Sequence, residues 1–184
     1  GEVIAPDIPL DPDEALPFLT ELVKKEQPDI IIGTSMGGMY AQQMRGVLRI
    51  CVHPAFQMSS LSKVLHTGTF KWLNWRKNHE KEFKVTHEIL QHFRAMERHQ
   101  FDGITEADKE LCFGLFGMDD TTVNPMNACQ TFLKHYPHAT RFEGGHQLNE
   151  KVVRKVLLPL MQQLLGEVFE EARKEPLPDY MRWG

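Results

Sequence analysis

The chain has 184 residues, 41% of them hydrophobic and 25% charged, with a formal net charge of −4. This is a globular composition, long enough for one domain with a substantial core. It lacks the basic footprint of a nucleic-acid binder, and no apolar run approaches the ~18 residues of a membrane span.

Val3 to Ile8 (VIAPDI) predicts a short strand closed by two prolines. Asp11 to Gln27 has helical spacing, with Leu16, Phe18, Leu19, Leu22 and Val23 recurring near i, i+3 and i+4 and Asp11, Asp13 and Glu14 in the first turn, where they suit the helix dipole. Asp29 to Gly33 is a continuous apolar run, as expected of a strand buried inside a parallel sheet. Gly37 to Met44 predicts a helix, and Val47 to Val52 a further strand that ends in His53-Pro54. Cys112 to Phe116 is the next strand, running into Gly117-Met118-Asp119-Asp120. Met126 to Tyr136 is helical, and Ala139 to Phe142 is a last short strand before Glu143-Gly144-Gly145-His146. A final helix starts near Asn149, a good N-cap, and Pro159 should kink it. The tail after Lys174 is proline-rich.

Strands alternating with helices predict an α/β fold, a mostly parallel sheet flanked by helices. The whole chain, 1–184, reads as one domain. Residues 56–107 break the alternation. They are aromatic, basic and mostly helical in pattern, with Ile89, Leu90, Phe93 and Met96 on one face. An insertion of this size between core strands reads as a helical cap over the strand ends. Basic residues between Lys71 and Lys84 are interrupted by Glu80 and Glu82 and read as a solvated face.

The chemistry-bearing residues each follow a strand. Ser35 lies in Gly33-Thr34-Ser35-Met36-Gly37, Asp119 and Asp120 follow the fourth predicted core strand, and His146 follows the last. In an open parallel sheet these positions share one edge, where ligands bind. A serine hydroxyl needs a base to take its proton, a histidine can be that base, and a carboxylate holds the histidine's tautomer. The N–H of Met36, just after the serine, is a candidate oxyanion donor. Gly-x-Ser-x-Gly arises by chance in about one chain of this length in fifteen to twenty. The strand context and the order Ser, Asp, His make the combination specific. Of the two adjacent aspartates, Gly117-x-x-Asp120 spacing favours Asp120 as the acid. Asp119 is the alternative, and the one not used is expected to cap the following loop.

Other residues carry competing readings. His53 follows a strand and either borders the site or simply packs. Phe70, Trp72 and Trp75 either pack the cap onto the body or line an acyl pocket, to which Gly33 and Gly37 would also contribute. His87 and His92 resemble HExxH but are one residue too far apart to share a helix face, so no metal site is expected. Cys51 and Cys129 read as small core residues, and Cys51, Cys112 and Cys129 lack paired spacing, which favours reduced thiols and a cytoplasmic setting. GTSMGG matches neither GxGxxG nor GxxxxGK[ST], which argues against a nucleotide site.

GTSMGGMYA, GMDDTTVNP, EGGHQL and IAPDIP resemble the α/β-hydrolases, and more narrowly the small bacterial YqiA/YcfP-type esterases. The resemblance implies a serine esterase or thioesterase without cofactor, acting on a small-molecule ester or thioester. Ser35 would be the nucleophile, Asp120 or Asp119 the acid, His146 the base and Met36 N–H an oxyanion donor. An acyltransferase, a peptidase, or a non-catalytic binding module on the same fold are the alternatives. Such hydrolases also carry an earlier strand with a His-Gly-type loop that supplies a second oxyanion N–H. No His-Gly pair occurs in this chain. The first strand or strands are therefore expected in a preceding βα segment of roughly 30 residues or more.

Overall fold

The computed structural model describes residues 2–60, 66–72 and 76–174. They form two compact units, Gly1–His146 and Gln147–Gly184, each taken by itself here.

The first unit opens with α1 (Pro12–Glu26), N-capped by Asp11, whose carboxylate accepts from Asp13 N–H at 3.0 Å. Strand β1 (Ile31–Thr34) leads through Ser35 into α2 (Met36–Ala41), and β2 (Arg49–Val52) ends at His53. Next come a 3-10 turn (Met58–Ser60), the hairpin β3 (Gly68–Lys71) and β4 (Glu82–Val85), α3 (His87–His99) and α4 (Glu106–Glu110). Strand β5 (Cys112–Gly117), α5 (Pro125–Leu133) and β6 (His138–Phe142) complete the unit.

The main sheet has the order β1-β2-β5-β6, and every pairing in it is parallel. The carboxyl ends of its four strands therefore lie on one edge. Ile50, Cys51, Val52, Leu115 and Phe116 are fully enclosed, whereas the Asp29–Gly33 run, expected inside the sheet, forms its edge strand among the described residues and leaves Ile32 37% exposed. Helices supply the rest of the core through residues such as Ala15 of α1, Phe93 of α3 and Phe132 of α5.

Two expectations are corrected. Val3–Ile8 forms no strand. A strand needs a neighbour to satisfy its backbone, and the free edge of β1 has none among the described residues. Ile4, Pro6 and Ile8 instead face Ile30, Ile31 and Ile32 across an apolar cleft. The 56–107 insertion is only partly helical. Its first half contains the antiparallel hairpin, with Phe70 opposite Phe83, and among the described residues its α-helices come after Thr86. Strand segments of four residues leave too short an alternation to stand out in sequence.

The second unit has α6 (Glu150–Val152), capped by Asn149 as expected, a π-helical turn (Val153–Leu157) and α7 (Leu158–Lys174). The π turn immediately precedes Pro159, which lacks the N–H that regular helix requires.

One contact ties α3 to the start of α1. His92 Nδ1 lies 2.8 and 2.9 Å from the two carboxylate oxygens of Asp11, and Nε2 lies 3.5 Å from Asp13. The hydrogen bond to Asp11 raises the His92 pKa; burial opposes it, and the charges of Asp11, Asp13 and Glu88 reinforce it. A histidine whose folded-state pKa is raised stabilises fully below its unfolded value of about 6.5 and loses that contribution as pH rises through the folded value. His92→Gln should therefore lower the thermal midpoint at pH 5.5–6 and match the wild type by about pH 9. A thermal-unfolding series across that range checks this, and an equal deficit at both ends would remove the ion pair as its cause.

Candidate functional site

Ser35 sits between β1 and α2 with φ 54° and ψ −119°. A non-glycine residue held at positive φ costs on the order of 1–3 kcal/mol and persists only where its surroundings dictate it. Here they do. Ser35 N–H donates to Val52 O at 2.9 Å, and Ser35 O accepts from Ala55 N–H at 3.1 Å. Both bonds tie the turn to the end of β2. The turn is also sterically tight. A Cβ on Gly33 would lie 2.1 Å from Gly37 O, and one on Gly38 would lie 3.1 Å from Gly33 O and 3.2 Å from Pro54 Cα. Gly37, by contrast, has open space at its Cβ position. The motif glycine that the turn needs is therefore Gly33, with Gly38 beside it rather than Gly37.

Asp120 follows β5 and is buried, at 6% exposure, whereas the neighbouring Asp119 is exposed. Its Oδ1 accepts from Thr122 N–H at 2.7 Å and Val123 N–H at 3.0 Å. Its Oδ2 lies 2.8 Å from His146 Nδ1. Asp120 thus both meets the histidine and caps its own loop, a role expected of the other aspartate. Asp119 contributes a backbone N–H to Gly144 O at 3.0 Å, which clamps the β5 loop to the loop that carries His146. Burial pushes the Asp120 carboxyl up, but the His146 hydrogen bond, the Val123 and Thr122 amides and the charge of His146 together hold it below the ordinary value.

His53 is the residue whose place the sequence left least defined. It ends β2 with φ 46° and is 1% exposed. Its Nδ1 lies 3.3 Å from Asp120 Oδ2, and its ring centroid is 5.5 Å from that of His146. Burial holds its pKa below the usual value, against the pull of Asp120 and with a further push from His146. The only signal in the sequence was its position just after a strand. Gly117 was missed as well: a Cβ there would lie 2.4 Å from Gly144 O and 2.6 Å from His53 Cε1.

The structure thus brings Asp120, His146 and His53 together. Among the described residues, Ser35 Oγ makes no hydrogen bond to His146. Met36, with its N–H in the open first turn of α2, has no intrahelical acceptor to satisfy. Phe70 and Trp72 both pack on Phe83, with ring centroids 5.6 and 4.2 Å away, and Arg76 stacks over Trp72 at 4.0 Å. These contacts all lie within the 56–107 insertion; Trp75 lies outside the described residues. Away from the strand ends, donor atoms of Asp11, Asp13 and His92 fall within 4.8 Å of one another. The imidazole already engages both oxygens of Asp11, so the ion pair accounts for this group. Cys51 and Cys112 are buried with their sulfurs 3.8 Å apart, and Cys129 is buried too; all three are free thiols.

No family model matches the chain, and no curated protein matches it. Solved structures do. A protein from Agrobacterium vitis, classed provisionally as a hydrolase, superposes with TM-score 0.58 at 18% identity, over 83% of this chain and 68% of that one. Est1E from Butyrivibrio proteoclasticus with ferulic acid bound superposes with TM-score 0.56 at 15% identity, over 87% and 70%. Mouse alpha/beta hydrolase domain-containing protein 10 does so with TM-score 0.56 at 13% identity, over 85% and 70%. The chain has the α/β-hydrolase fold.

The glycine geometry gives a test by contrast. Gly33→Ala should destabilise by several kcal/mol, since a Cβ 2.1 Å from a backbone oxygen is relieved only by moving the turn. Gly37→Ala lies in a helix with open space at its Cβ and should be neutral or stabilising by up to about 1 kcal/mol. Denaturant unfolding of both variants checks the difference.

Proposed function

We propose that this chain is a serine hydrolase acting on ester or thioester bonds, with Ser35 as nucleophile, His146 as base and Asp120 as the carboxylate partner. The observation that carries the reading is the buried Asp120 oxygen 2.8 Å from His146 Nδ1, on the same sheet edge as a serine held at positive φ. A carboxylate on Nδ1 leaves Nε2 as the proton-accepting nitrogen. In the reaction, His146 Nε2 takes the Ser35 hydroxyl proton as the oxygen attacks the carbonyl. The oxyanion that develops is met by Met36 N–H, and collapse of the adduct expels the alcohol or thiol, protonated by His146. Water then repeats the sequence on the acyl-serine and releases the acid. The missing Ser35–His146 hydrogen bond is compatible with this, because catalytic hydrogen bonds are often long before substrate is bound.

The hydrolase fold shared with the structural neighbours supports hydrolysis, and the motif resemblance to small bacterial YqiA/YcfP-type esterases supports the ester reading over peptide cleavage or acyl transfer. The three free, buried thiols fit a cytoplasmic placement. A non-catalytic binding module is the second reading. It is favoured by the lack, among the described residues, of a hydrogen bond between Ser35 Oγ and His146.

Fluorophosphonate labelling followed by mass spectrometry tests the proposal without knowledge of the substrate. The expected adduct is on Ser35, absent in Ser35→Ala and slowed at least ~100-fold in His146→Ala. Asp120→Asn should slow it by a comparable factor, and Asp119→Asn by less than about twofold. A wild-type protein that stays unlabelled on Ser35 would favour the binding module.

A further inference from the structure

We propose that the imidazole of His53 completes the β2–β5 ladder in place of its own main-chain carbonyl, and that by holding Gly117 N–H it positions the turn that delivers Asp120 to His146. The contact stands on the geometry alone. Its catalytic meaning rests on the proposed function.

Strands β2 and β5 pair in parallel up to Val52 and Leu115, and His53 N–H donates to Leu115 O at 2.9 Å. The amides of β5 alternate between its two neighbours. Met118 N–H goes to Phe142 O of β6 at 3.0 Å, so Gly117 N–H faces β2. The next rung of a regular ladder would carry it to the main-chain oxygen of His53. His53 has left the extended conformation, at φ 46°. The acceptor that meets Gly117 N–H is instead His53 Nδ1, at 3.3 Å. Gly117 is buried, and a buried amide without an acceptor carries a desolvation penalty. The side chain thus supplies what the turn in its own backbone withdraws.

A neutral imidazole that accepts at Nδ1 carries its proton on Nε2, which is buried without a partner. An apolar ring would fill the same space without that penalty, so packing alone gives no reason for a histidine here. Asp120 Oδ2 also lies 3.3 Å from Nδ1, but without hydrogen-bond geometry. The ring has little freedom to leave. Phe142 meets it edge-on with centroids 5.5 Å apart, and the missing side chain of Gly117 is what admits its Cε1. The residue it holds begins the turn to the acid: Gly117 O accepts from Asp120 N–H at 3.2 Å. One peptide neighbour therefore separates the ring's grip from Asp120, whose Oδ1 is then fixed by Thr122 and Val123 N–H. His53 is a positioning residue that acts through Gly117.

The test has two readouts. In 15N-labelled wild-type protein, a 15N–15N coupling carried by the hydrogen bond should connect Gly117 N with His53 Nδ1, and the ring should show the Nε2–H tautomer. An absent coupling, or a ring protonated on Nδ1, overturns the proposal. The second readout is saturation labelling of Ser35 by a fluorophosphonate, which separates reagent binding from the maximal rate. His53→Gly takes positive φ freely but offers no acceptor. His53→Asn also tolerates positive φ and brings Oδ1 close to the place of Nδ1. His53→Gly should lower the maximal rate roughly tenfold with reagent binding unchanged, and His53→Asn should stay within about threefold of the wild type. Equal rates in the two variants, or a change in reagent binding alone, would make His53 a packing residue only and overturn the proposal. If His53→Gly does not fold, the coupling and His53→Asn decide. A wild type with no Ser35 adduct would defeat the proposed function and not this contact, which the coupling reads independently.

Discussion

The arrangement at the strand ends depends on the buried carboxylate of Asp120 and on the donors that make its burial tolerable. An isolated carboxylate removed from water carries a penalty of several kcal/mol. Here Oδ1 takes two backbone N–H groups and Oδ2 lies against two imidazoles. Those groups come from three separate places: the loop after β5, the loop after β6, and the end of β2. The ion can stay buried only while all three loops hold their positions. The electrostatics of one residue thus specify the relative placement of segments distant in sequence, which hydrophobic contacts alone would leave looser.

The parallel sheet makes this possible. With β2, β5 and β6 side by side and running the same way, three consecutive chain reversals must occur on the same edge. Glycine then decides how close they approach. Gly117 admits both the His53 ring and the carbonyl of Gly144, and the Asp119 N–H bond to that carbonyl closes the gap between the β5 and β6 loops. A side chain at Gly117 would drive apart the two loops whose meeting brings Asp120 to His146.

Much of this was legible in the sequence, for local reasons. The run Asp29–Gly33 followed by Ser35, the acid after Cys112–Phe116 and His146 after a Gly-Gly pair all rest on nearest-neighbour patterns, and the strands fall where those patterns predict. The choice of Asp120 over Asp119 was also legible, because adjacent side chains must diverge and the spacing selects one of them. What was not legible is tertiary. The buried ring of His53 gets its meaning from Asp120, 67 positions later, and nothing in Val52-His53-Pro54 announces that contact. The hairpin β3–β4 was hidden by strands too short to show an alternation. Val3–Ile8 has strand-like residues and forms no strand, because pairing is a property of neighbours and not of a segment.

Two residues with positive φ, Ser35 and His53, end adjacent strands, and their strain is not independent. Ser35 N–H is bonded to Val52 O, the residue before His53, and Ser35 O to Ala55 N–H, two residues after it. Gly38, at the start of α2, packs on Val52 O and Pro54 Cα. The turn that exposes the serine and the turn that buries the histidine are therefore built on a shared set of backbone contacts. Relaxing His53 to an ordinary backbone conformation would shift Val52 O and Ala55 N–H, and with them the clamp on Ser35. The same element that presents an imidazole to the carboxylate also holds the hydroxyl turn in its strained form. Ser35 and Asp120 are thus coupled through β2, which carries neither of them.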